Sequence, residues 1–280
     1  MELIKHLSEM RNYINRIEKE KSIGFVPTMG YLHGGHLSLI KRARQDCDEV
    51  VVSIFVNPTQ FGAGEDYHLY PRDLSRDIKL CKQEDLDVVF VPSREEMYPD
   101  GYSIFVKVEG ELSSTLEGSS RPGHFQGVCT ILTKLFNIIS PDFSYFGQKD
   151  YQQVLVVKRL VRDLNFNTRI VVLPTVREKD GLAVSSRNSY LNKQERCAAT
   201  VLYESLEKVK QLIMEGNRDP ALVASKMKDL IKAKSLAEVD YVAVVDPETL
   251  RKIERIEKEV LVAVAVKIGE IRLIDNLKIA

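Results

Sequence analysis

The sequence predicts an α/β protein in which a mostly parallel, doubly wound sheet is followed by a smaller α+β domain. Up to residue 173, short apolar runs alternate with segments whose apolar residues recur at helical spacing. Such alternation is typical of a parallel sheet with helices on both faces. After Pro174 the order changes to a polar loop, two helical segments and three strand-like runs. We therefore expect one domain over residues 1–175 and a smaller one over residues 176–280, which would cover the binding site of the first.

The first domain is expected to alternate strands and helices throughout. Apolar residues recur three and four positions apart, as in an amphipathic helix, over residues 4–17, 35–46, 72–83, 125–139 and 151–163. Continuous apolar runs, which are typical of strands covered on both faces, occupy residues 22–26, 50–56, 87–92, 143–146 and 169–173. Residues 104–108 could form a further strand, and the Ser- and Gly-rich residues 112–123 are expected to be a loop.

The second domain is expected to contain helices followed by strands. Residues 175–188 are polar and lack periodicity, which predicts a loop at the domain boundary. Helical spacing then covers residues 193–214 and 220–234, and strand-like runs cover residues 239–245, 260–266 and 269–275. Helices and strands segregated in this way favour an α+β domain.

Composition restricts the classes of protein to consider. Of the 280 residues, 44% are hydrophobic and 29% are charged, so the chain can bury a substantial core. Forty basic residues balance forty acidic ones, and a neutral chain lacks the positive field that supports sequence-independent nucleic-acid binding. We expect no nucleic-acid partner. No apolar run is long enough to span a bilayer, so we expect no membrane partner either.

The amino terminus and the cysteines predict a cytoplasmic protein. Residues 1–21 carry many charges and lack the apolar core of a signal peptide. Cys47, Cys81, Cys129 and Cys197 are scattered and form no C-x-x-C pair, which is typical of reduced thiols.

Two histidines lie where a buried strand is expected to pass into a helix. His33 and His36 follow a Pro-Thr-Met-Gly turn, and Gly30, Gly34 and Gly35 let a ligand approach the backbone closely. At the start of a helix, unpaired N–H groups and the positive end of the helix dipole favour an anion. The pair therefore predicts a polyphosphate site at the sheet edge where open α/β sheets bind ligands.

Two other interpretations of these histidines stay open. They could be ordinary turn residues, or they could bind a metal ion. A zinc site needs three or four protein ligands, and no spacing supports His124 and Cys129 as the additional ones.

Other stretches carry polar groups suited to ligand binding. Gly147–Asp150 follows a predicted strand, and its Lys149 could place a positive charge on a phosphate. Ser185–Asn188 lies in the boundary loop, where two hydroxyls and a guanidinium could clamp phosphates. Arg121–Phe125 could anchor a loop or form part of a lid. Amides that could recognise a hydroxyl or a carboxylate belong to Asn57, Gln152 and Gln153.

Six motifs, taken in order, resemble those of the pantothenate synthetase family, whose members are pantoate–β-alanine ligases. They are Pro27-Thr28-Met29-Gly30-Tyr31-Leu32-His33-Gly34-Gly35-His36, Phe55-Val56-Asn57-Pro58-Thr59-Gln60-Phe61, Tyr70-Pro71-Arg72, Arg121-Pro122-Gly123-His124-Phe125, Gly147-Gln148-Lys149-Asp150-Tyr151-Gln152-Gln153 and Ser185-Ser186-Arg187-Asn188. The similarity spans most of residues 20–190. The histidine motif also resembles that of the wider nucleotidylyltransferase superfamily, so the resemblance implies a Rossmann-like domain of that type.

The resemblance implies an ATP-dependent ligase that works in two steps. Pantoate would attack the α-phosphorus of ATP to give pantoyl adenylate and pyrophosphate. The amine of β-alanine would then attack the acyl carbon and release AMP. Both steps depend on positioning and on stabilising phosphate charge, so neither requires a protein nucleophile.

The resemblance also implies roles for individual residues. His36 would be the proton donor, with His33 beside it on the phosphates and with Lys149 and Arg187 as phosphate cations. ATP would be bound by Met29, Gly30, Tyr31, Leu32, His33, Gly34, Gly35, His36, Gly147, Gln148, Lys149, Asp150, Val176, Val184, Ser185, Ser186 and Arg187. Pantoate would be bound by Gln60 and Gln153, with Gln60 also close to β-alanine and Asn57 as a further substrate-binding residue.

Two departures from the family pattern bear on these expectations. Position 184 is more often Met or Leu in the family, and the valine found here should matter little. The acidic pair expected after Tyr70-Pro71-Arg72 is reduced to Arg76-Asp77. Magnesium is expected with ATP, held mainly by phosphates and water, and a protein ligand for it is in doubt.

The resemblance further implies a homodimer formed through the amino-terminal domain. Two rival functions compete with the ligase. One is another adenylyl- or cytidylyltransferase, which would form no amide, and the other is an inactive nucleotide-binding module. The presence of both histidines, Lys149 and Arg187 argues against the inactive module.

Overall fold

A six-stranded parallel sheet forms the centre of the first of two units in the computed structural model, which describes residues 1–280. Its strands are β1 (Glu2–Ile4), β2 (Ile23–Thr28), β3 (Glu49–Ile54), β4 (Val88–Phe90), β5 (Phe143–Gly147) and β6 (Arg169–Leu173). The strand order is β1-β4-β3-β2-β5-β6, and every adjacent pair is parallel. The predicted doubly wound α/β fold is confirmed.

The strand order changes direction between β2 and β5. From β2 the chain adds β3 and β4 on one side of the sheet, and then returns to place β5 and β6 on the other. Crossover connections to either side leave a crevice at the carboxyl ends of the two strands, where open α/β sheets bind ligands. The turn that follows β2 therefore lies at the point where the topology predicts a site.

Eleven α-helices connect or flank the strands of the two units. They are α1 (Leu7–Ile14), α2 (Gly34–Asp46), α3 (Leu74–Gln83), α4 (Arg94–Met97), α5 (Glu111–Ser114), α6 (Glu117–Ser120), α7 (His124–Ile139), α8 (Tyr151–Asp163), α9 (Lys193–Ala198), α10 (Val201–Met214) and α11 (Pro220–Lys232). Three short 3₁₀ turns span Pro58–Gln60, Gln148–Asp150 and Ser186–Tyr190. None of the helices combines the length and the apolar character needed to cross a membrane.

The second unit is built around a three-stranded antiparallel sheet. Its strands are β7 (Ala237–Val245), β8 (Val260–Ile268) and β9 (Ile271–Ile279), in that order. Leu202 and Leu206 of α10 and Val223 of α11 are buried in one cluster with the valines of β8. Besides residues 175–280, the unit includes two short segments from earlier in the chain, residues 110–120 and 149–152.

Residues 110–120 are fixed to the rest of the second unit by a network of charged groups. The buried carboxylate of Glu117 accepts two hydrogen bonds from the guanidinium of Arg272, each 2.8 Å long, and one from the hydroxyl of Tyr241. Arg272 also bonds Asp240. Each buried charge is thus paired, which burial requires.

Several predicted element bounds were wrong. Residues 104–108, expected as a possible strand, belong to no sheet, and the Ile104 side chain is 76% exposed. Their β-branched residues favour extended backbone, but a strand also needs a partner. The chain opens with β1 rather than with the helix expected from residue 4, and the single helix expected over 193–214 is divided between α9 and α10. Residues 112–123, expected as a loop, contain most of α5 and all of α6.

Candidate active site

The turn after β2 is fixed first by its own threonine. The Thr28 hydroxyl donates to the carbonyl of Ser53 on β3 (2.7 Å) and accepts the N–H of Gly30 (3.1 Å). Both hydrogen-bonding roles of this buried hydroxyl are therefore used. The turn is tied to the neighbouring strand at the point where the chain leaves the sheet.

A buried carboxylate then holds the tip of the turn. Gly30 and Tyr31 both have left-handed backbone, with φ of 83° and 50°, and the N–H groups of Tyr31 and Leu32 converge on Asp77 of α3. The Tyr31 N–H lies 2.7 Å from Asp77 Oδ2, and the Leu32 N–H lies 2.7 Å from Oδ1. Burial raises the pKa of Asp77, while these two hydrogen bonds and nearby Arg76 act in the opposite direction.

This arrangement gives Asp77 a role that the sequence did not reveal. The sequence presents Asp77 only as what is left of the family's acidic pair, a candidate ligand for magnesium. In the structure both of its oxygens bind backbone, and the side chain is 1% exposed. Asp77 is therefore a positioning residue for the turn. The sequence around it carries no signal for this contact, since the contact depends on how α3 packs beside the sheet.

The two predicted histidines form the start of α2. His33 is the residue before the helix, and its Nδ1 accepts the N–H of Gly35 at 3.2 Å. In return, Nδ1 of His36 accepts the N–H of His33 at 3.4 Å. The rings stack with centroids 4.0 Å apart and an angle of 28° between their planes. Side chains thus satisfy N–H groups that the first turn of a helix leaves unpaired.

These contacts fix which nitrogen of each ring carries the proton. A nitrogen that accepts an N–H cannot itself be protonated, so each neutral ring has its hydrogen on Nε2. A Cβ on residue 35 would lie 3.0 Å from Cε1 of His33, so glycine lets the His33 ring close on the helix. The pair can present two N–H donors at the positive end of α2.

The predicted substrate residues Asn57 and Gln60 are brought together at the end of β3. Asn57 is 1% exposed, and its Nδ2 donates to Oε1 of Gln60 at 3.1 Å. Gln60 Nε2 lies 2.9 Å from the sulfur of Met29, in the turn after β2. The structure therefore places the Gln60 amide beside the residues predicted to bind ATP.

The motif Arg121–Phe125 anchors a loop. His124 Nδ1 lies 2.8 Å from the carbonyl oxygen of Gln60, and Arg121 donates to the same oxygen at 3.4 Å. Arg121 also forms an ion pair with Glu65, with two N–H···O contacts of 3.0 and 2.7 Å. A Cβ on Gly127, in α7, would lie 2.3 Å from the carbonyl oxygen of Thr59. The start of α7 therefore fits directly against the turn that carries Gln60.

Gly147 ends β5, which pairs in parallel with β2. Gly147 and Gln148 therefore lie at the same edge of the sheet as the histidine turn. Of the two neighbouring glutamines, Gln152 has a structural role: its amide donates to the carbonyls of Leu112 and Thr115 and accepts the N–H of Glu117. Gln153 remains as the predicted substrate-binding amide of this stretch.

The remaining predicted residues belong to the second unit. Val176 and Val184 are joined by a backbone hydrogen bond of 3.0 Å, and Ser185 accepts the N–H of Arg187. This loop is held by Arg177, which binds the buried carboxylate of Asp275 through two hydrogen bonds of 2.6 and 3.0 Å.

Lys149 is in the same unit. Its carbonyl accepts from Asn276 at 2.9 Å, and its ammonium lies 3.7 Å from Asp150. No three His, Cys, Asp or Glu side chains are grouped to hold a metal ion.

The fold and this turn define a doubly wound α/β protein with a stacked histidine pair at its topological switch point. A family model described as Pantoate-beta-alanine ligase matches residues 2–278. The chain therefore belongs to the pantoate–β-alanine ligase family, whose members form an amide bond, and the resemblance predicted from the six motifs is confirmed.

Individual relatives agree over the full length. The chain is 54% identical to the pantothenate synthetase of Fervidobacterium nodosum, over 99% of both chains. Its fold matches the crystal structure of pantothenate synthetase from Thermus thermophilus with a TM-score of 0.95 at 47% identity, covering 99% of each chain. The pantoate–β-alanine ligase of Francisella tularensis, solved in complex with β,γ-ATP and β-alanine, matches with a TM-score of 0.82 at 38% identity, covering 99% of this chain and 97% of that one.

We predict that Asp77→Asn impairs the site more than it impairs the fold. One backbone N–H of the turn would then face an amide NH₂, and an unsatisfied buried donor costs about 1–3 kcal/mol. We expect kcat/KM for ATP to fall by roughly tenfold or more. The matched control is Asp73→Asn on the same helix, where asparagine replaces aspartate as the helix cap without loss. Equal ATP kinetics in the two variants would contradict the role of Asp77.

Proposed function

We propose that this protein condenses pantoate with β-alanine at the expense of ATP, through a pantoyl-adenylate intermediate, and releases AMP and pyrophosphate. The observation that carries the proposal is the stacked pair His33 and His36 at the amino terminus of α2, with both Nδ1 atoms on backbone N–H groups. Membership in the family supports the choice of substrates. The structure of the Francisella relative is described as a complex with β,γ-ATP and β-alanine.

In the first step a pantoate carboxylate oxygen attacks the α-phosphorus of ATP. The bond to the bridging oxygen breaks, and pyrophosphate leaves with the bonding electrons. Negative charge grows on the departing phosphates, and N–H donors fixed in advance stabilise such charge best. His36, the proton donor implied by the resemblance, donates a hydrogen bond from Nε2 to the departing phosphates, and His33 lies beside it on the phosphates. No protein nucleophile takes part.

In the second step the amine of β-alanine, after its ammonium form has lost a proton to solvent, attacks the acyl carbon of pantoyl adenylate. The bond from that carbon to the phosphate oxygen breaks, AMP leaves with the bonding electrons, and the nitrogen loses one further proton as the amide forms. AMP is a good leaving group, whereas the oxygen of a free carboxylate is not. The reaction therefore consumes ATP to convert the carboxylate into an acyl adenylate. Gln60 and Gln153 bind pantoate, with Gln60 also close to β-alanine and with Asn57 as a further substrate-binding residue. These amides contribute by positioning the reacting atoms.

The ATP-binding residues are those predicted from the sequence. They are Met29, Gly30, Tyr31, Leu32, His33, Gly34, Gly35, His36, Gly147, Gln148, Lys149, Asp150, Val176, Val184, Ser185, Ser186 and Arg187. Lys149 and Arg187 supply positive charge to the phosphates. Magnesium enters as part of the MgATP substrate, held mainly by phosphates and water. Asp77 contributes no ligand, since its oxygens bind backbone.

The adenylate intermediate is tested by isotope transfer. Pantoate labelled with ¹⁸O in its carboxylate should pass one labelled oxygen to AMP, because the attacking oxygen stays on the phosphorus when the amide forms. Mass spectrometry of AMP measures the label. Unlabelled AMP would exclude the intermediate, and formation of ADP and orthophosphate would exclude the whole proposal. A reaction that releases pyrophosphate without β-alanine-dependent AMP would favour another nucleotidylyltransferase.

The role of His36 is tested by His36→Ala. Loss of a donor to the developing charge should lower kcat by on the order of a hundredfold or more. Pyrophosphate release at saturating substrates measures the rate. The control is His68→Ala, which removes an exposed histidine outside the proposed site. A loss of only a few-fold in His36→Ala would contradict a role in the chemical step.

We also propose a homodimer formed through the first unit. This assembly is the one that the resemblance implies, and the candidates for the interface are Ile104 and Phe105, which are exposed by 76% and 47% in a segment without a sheet partner. Sedimentation equilibrium should give twice the chain mass, and Ile104→Lys should shift it toward the monomer. Leu230→Lys, at an exposed position of α11, should leave the mass unchanged. A monomeric parent protein would exclude the dimer. The cytoplasmic location expected from the sequence stays a prediction.

A further inference from the structure

We propose that Tyr98 is a positioning residue that acts through Asn57 to fix the direction of the Gln60 side-chain amide, so that its NH₂ end and not its oxygen is presented to pantoate. The proposal rests on the proposed function, in which Gln60 binds pantoate. It adds a residue outside the six sequence motifs and assigns a polarity to the amide.

The polarity is set first at Asn57. The backbone carbonyl of Gly127 can only accept a hydrogen bond, and it lies 3.1 Å from one end of the Asn57 amide. That end must therefore be the NH₂ group, and the other end must be the oxygen Oδ1. Asn57 is 1% exposed, so water cannot readily satisfy the reverse orientation.

Two hydroxyls then secure the oxygen end. The Tyr98 hydroxyl donates to Asn57 Oδ1 at 2.7 Å, and the Thr59 hydroxyl donates to the same atom at 3.0 Å. Burial raises the pKa of Tyr98 to about 12, so the hydroxyl keeps its proton at neutral pH. With Gly127 on one side and Tyr98 on the other, the Asn57 amide has a single orientation that satisfies all its neighbours.

The ring of Tyr98 is itself held on several sides. Its centroid lies 6.2 Å from that of Phe55 and 5.0 Å from that of Tyr102. The ammonium of Lys134 lies 5.7 Å from the Tyr98 ring centroid and 4.7 Å from that of Tyr102. A cation over an aromatic face is attracted by the ring. The hydroxyl is therefore aimed at Asn57 by a packed cluster.

The orientation of the Asn57 amide determines that of the Gln60 amide through a hydrogen bond between them. Asn57 Nδ2 donates to Gln60 Oε1 at 3.1 Å, so the oxygen of the glutamine faces inward and Nε2 lies at the other end, beside Met29. The backbone of Gln60 is fixed independently by His124. Pantoate is an anion with hydroxyl groups, and an NH₂ donor attracts its carboxylate, whereas an amide oxygen in the same place would repel it. A site that places a hydrogen-bond acceptor against an acceptor of the ligand leaves both groups without a donor and binds that ligand poorly.

Tyr98→Phe tests the proposal, with Tyr102→Phe as the control. Both variants remove one hydroxyl from the same aromatic cluster, but only Tyr98 donates to Asn57. In Tyr98→Phe we expect KM for pantoate, and its dissociation constant measured by calorimetry, to rise roughly tenfold, the usual size of one lost hydrogen bond to a polar partner. KM for ATP should stay within about twofold, whereas general loosening of the site would raise both. Tyr102→Phe should match the parent protein.

A second variant and a second measurement make the result decisive. Thr59→Val removes the other donor to Asn57 Oδ1 and, like Tyr98→Phe, should raise KM for pantoate.

The ¹⁵N NMR signals of the Gln60 NH₂ group, assigned by their loss in Gln60→Met, report the orientation of that group without substrate. They should shift or double in Tyr98→Phe and stay unchanged in Tyr102→Phe. Unchanged signals, or unchanged pantoate binding in folded Tyr98→Phe, would overturn the proposal. A parent protein that binds no pantoate would instead overturn the proposed function, while the NMR comparison would still decide the role of Tyr98.

Discussion

The site depends on two hydrogen bonds that join a buried carboxylate to the strained turn after β2. Asp77 accepts the N–H groups of Tyr31 and Leu32, which follow one another in the chain. Two N–H groups of this kind converge only because Gly30 and Tyr31 adopt left-handed backbone, a conformation that costs a non-glycine residue on the order of 1 kcal/mol or more. The two hydrogen bonds to a charged acceptor offset that cost. They also set where α2 begins, and so where His33 and His36 stand.

A similar logic organises the other parts of the site. The amide of Gln60 depends on Asn57, which depends in turn on Gly127 and Tyr98. In the second unit the loop that carries Val176 and Val184 depends on the pair formed by Arg177 and the buried Asp275. In each case a residue proposed to bind substrate is held in place by buried polar partners. Removal of one such partner leaves another polar group buried without a bond, so the effect of a substitution exceeds the value of a single contact.

The sequence predicted the sheet because its signals are local. The apolar runs of β2 and β3 and the helical spacing of α7 and α8 each lie within a few consecutive residues, and the histidine turn lies between two of them. Asp77 and Tyr98 could not be predicted, because their roles depend on contacts 46 and 41 positions away in the chain. The strand predicted over residues 104–108 was wrong for the opposite reason. The local preference of these residues for extended backbone is clear, but no strand of the structure pairs with them. Gly127 could have been found by asking why a glycine interrupts an apolar helix.

The bonding of the two imidazoles has a further consequence for the kinds of reaction this turn can serve. In each ring the basic nitrogen Nδ1 already accepts a hydrogen bond from a backbone N–H group. A proton added at Nδ1 would break this hydrogen bond and with it the cap at the start of α2. The rings can therefore give hydrogen bonds at Nε2, yet neither can take up a proton from a ligand while α2 remains capped. The first proposed step needs no base at this turn, since a carboxylate is already ionised at neutral pH and arrives ready to react. The second proposed step uses an amine that must first lose its ammonium proton, and that proton has to go to solvent or to another group, because neither imidazole of this turn can take it.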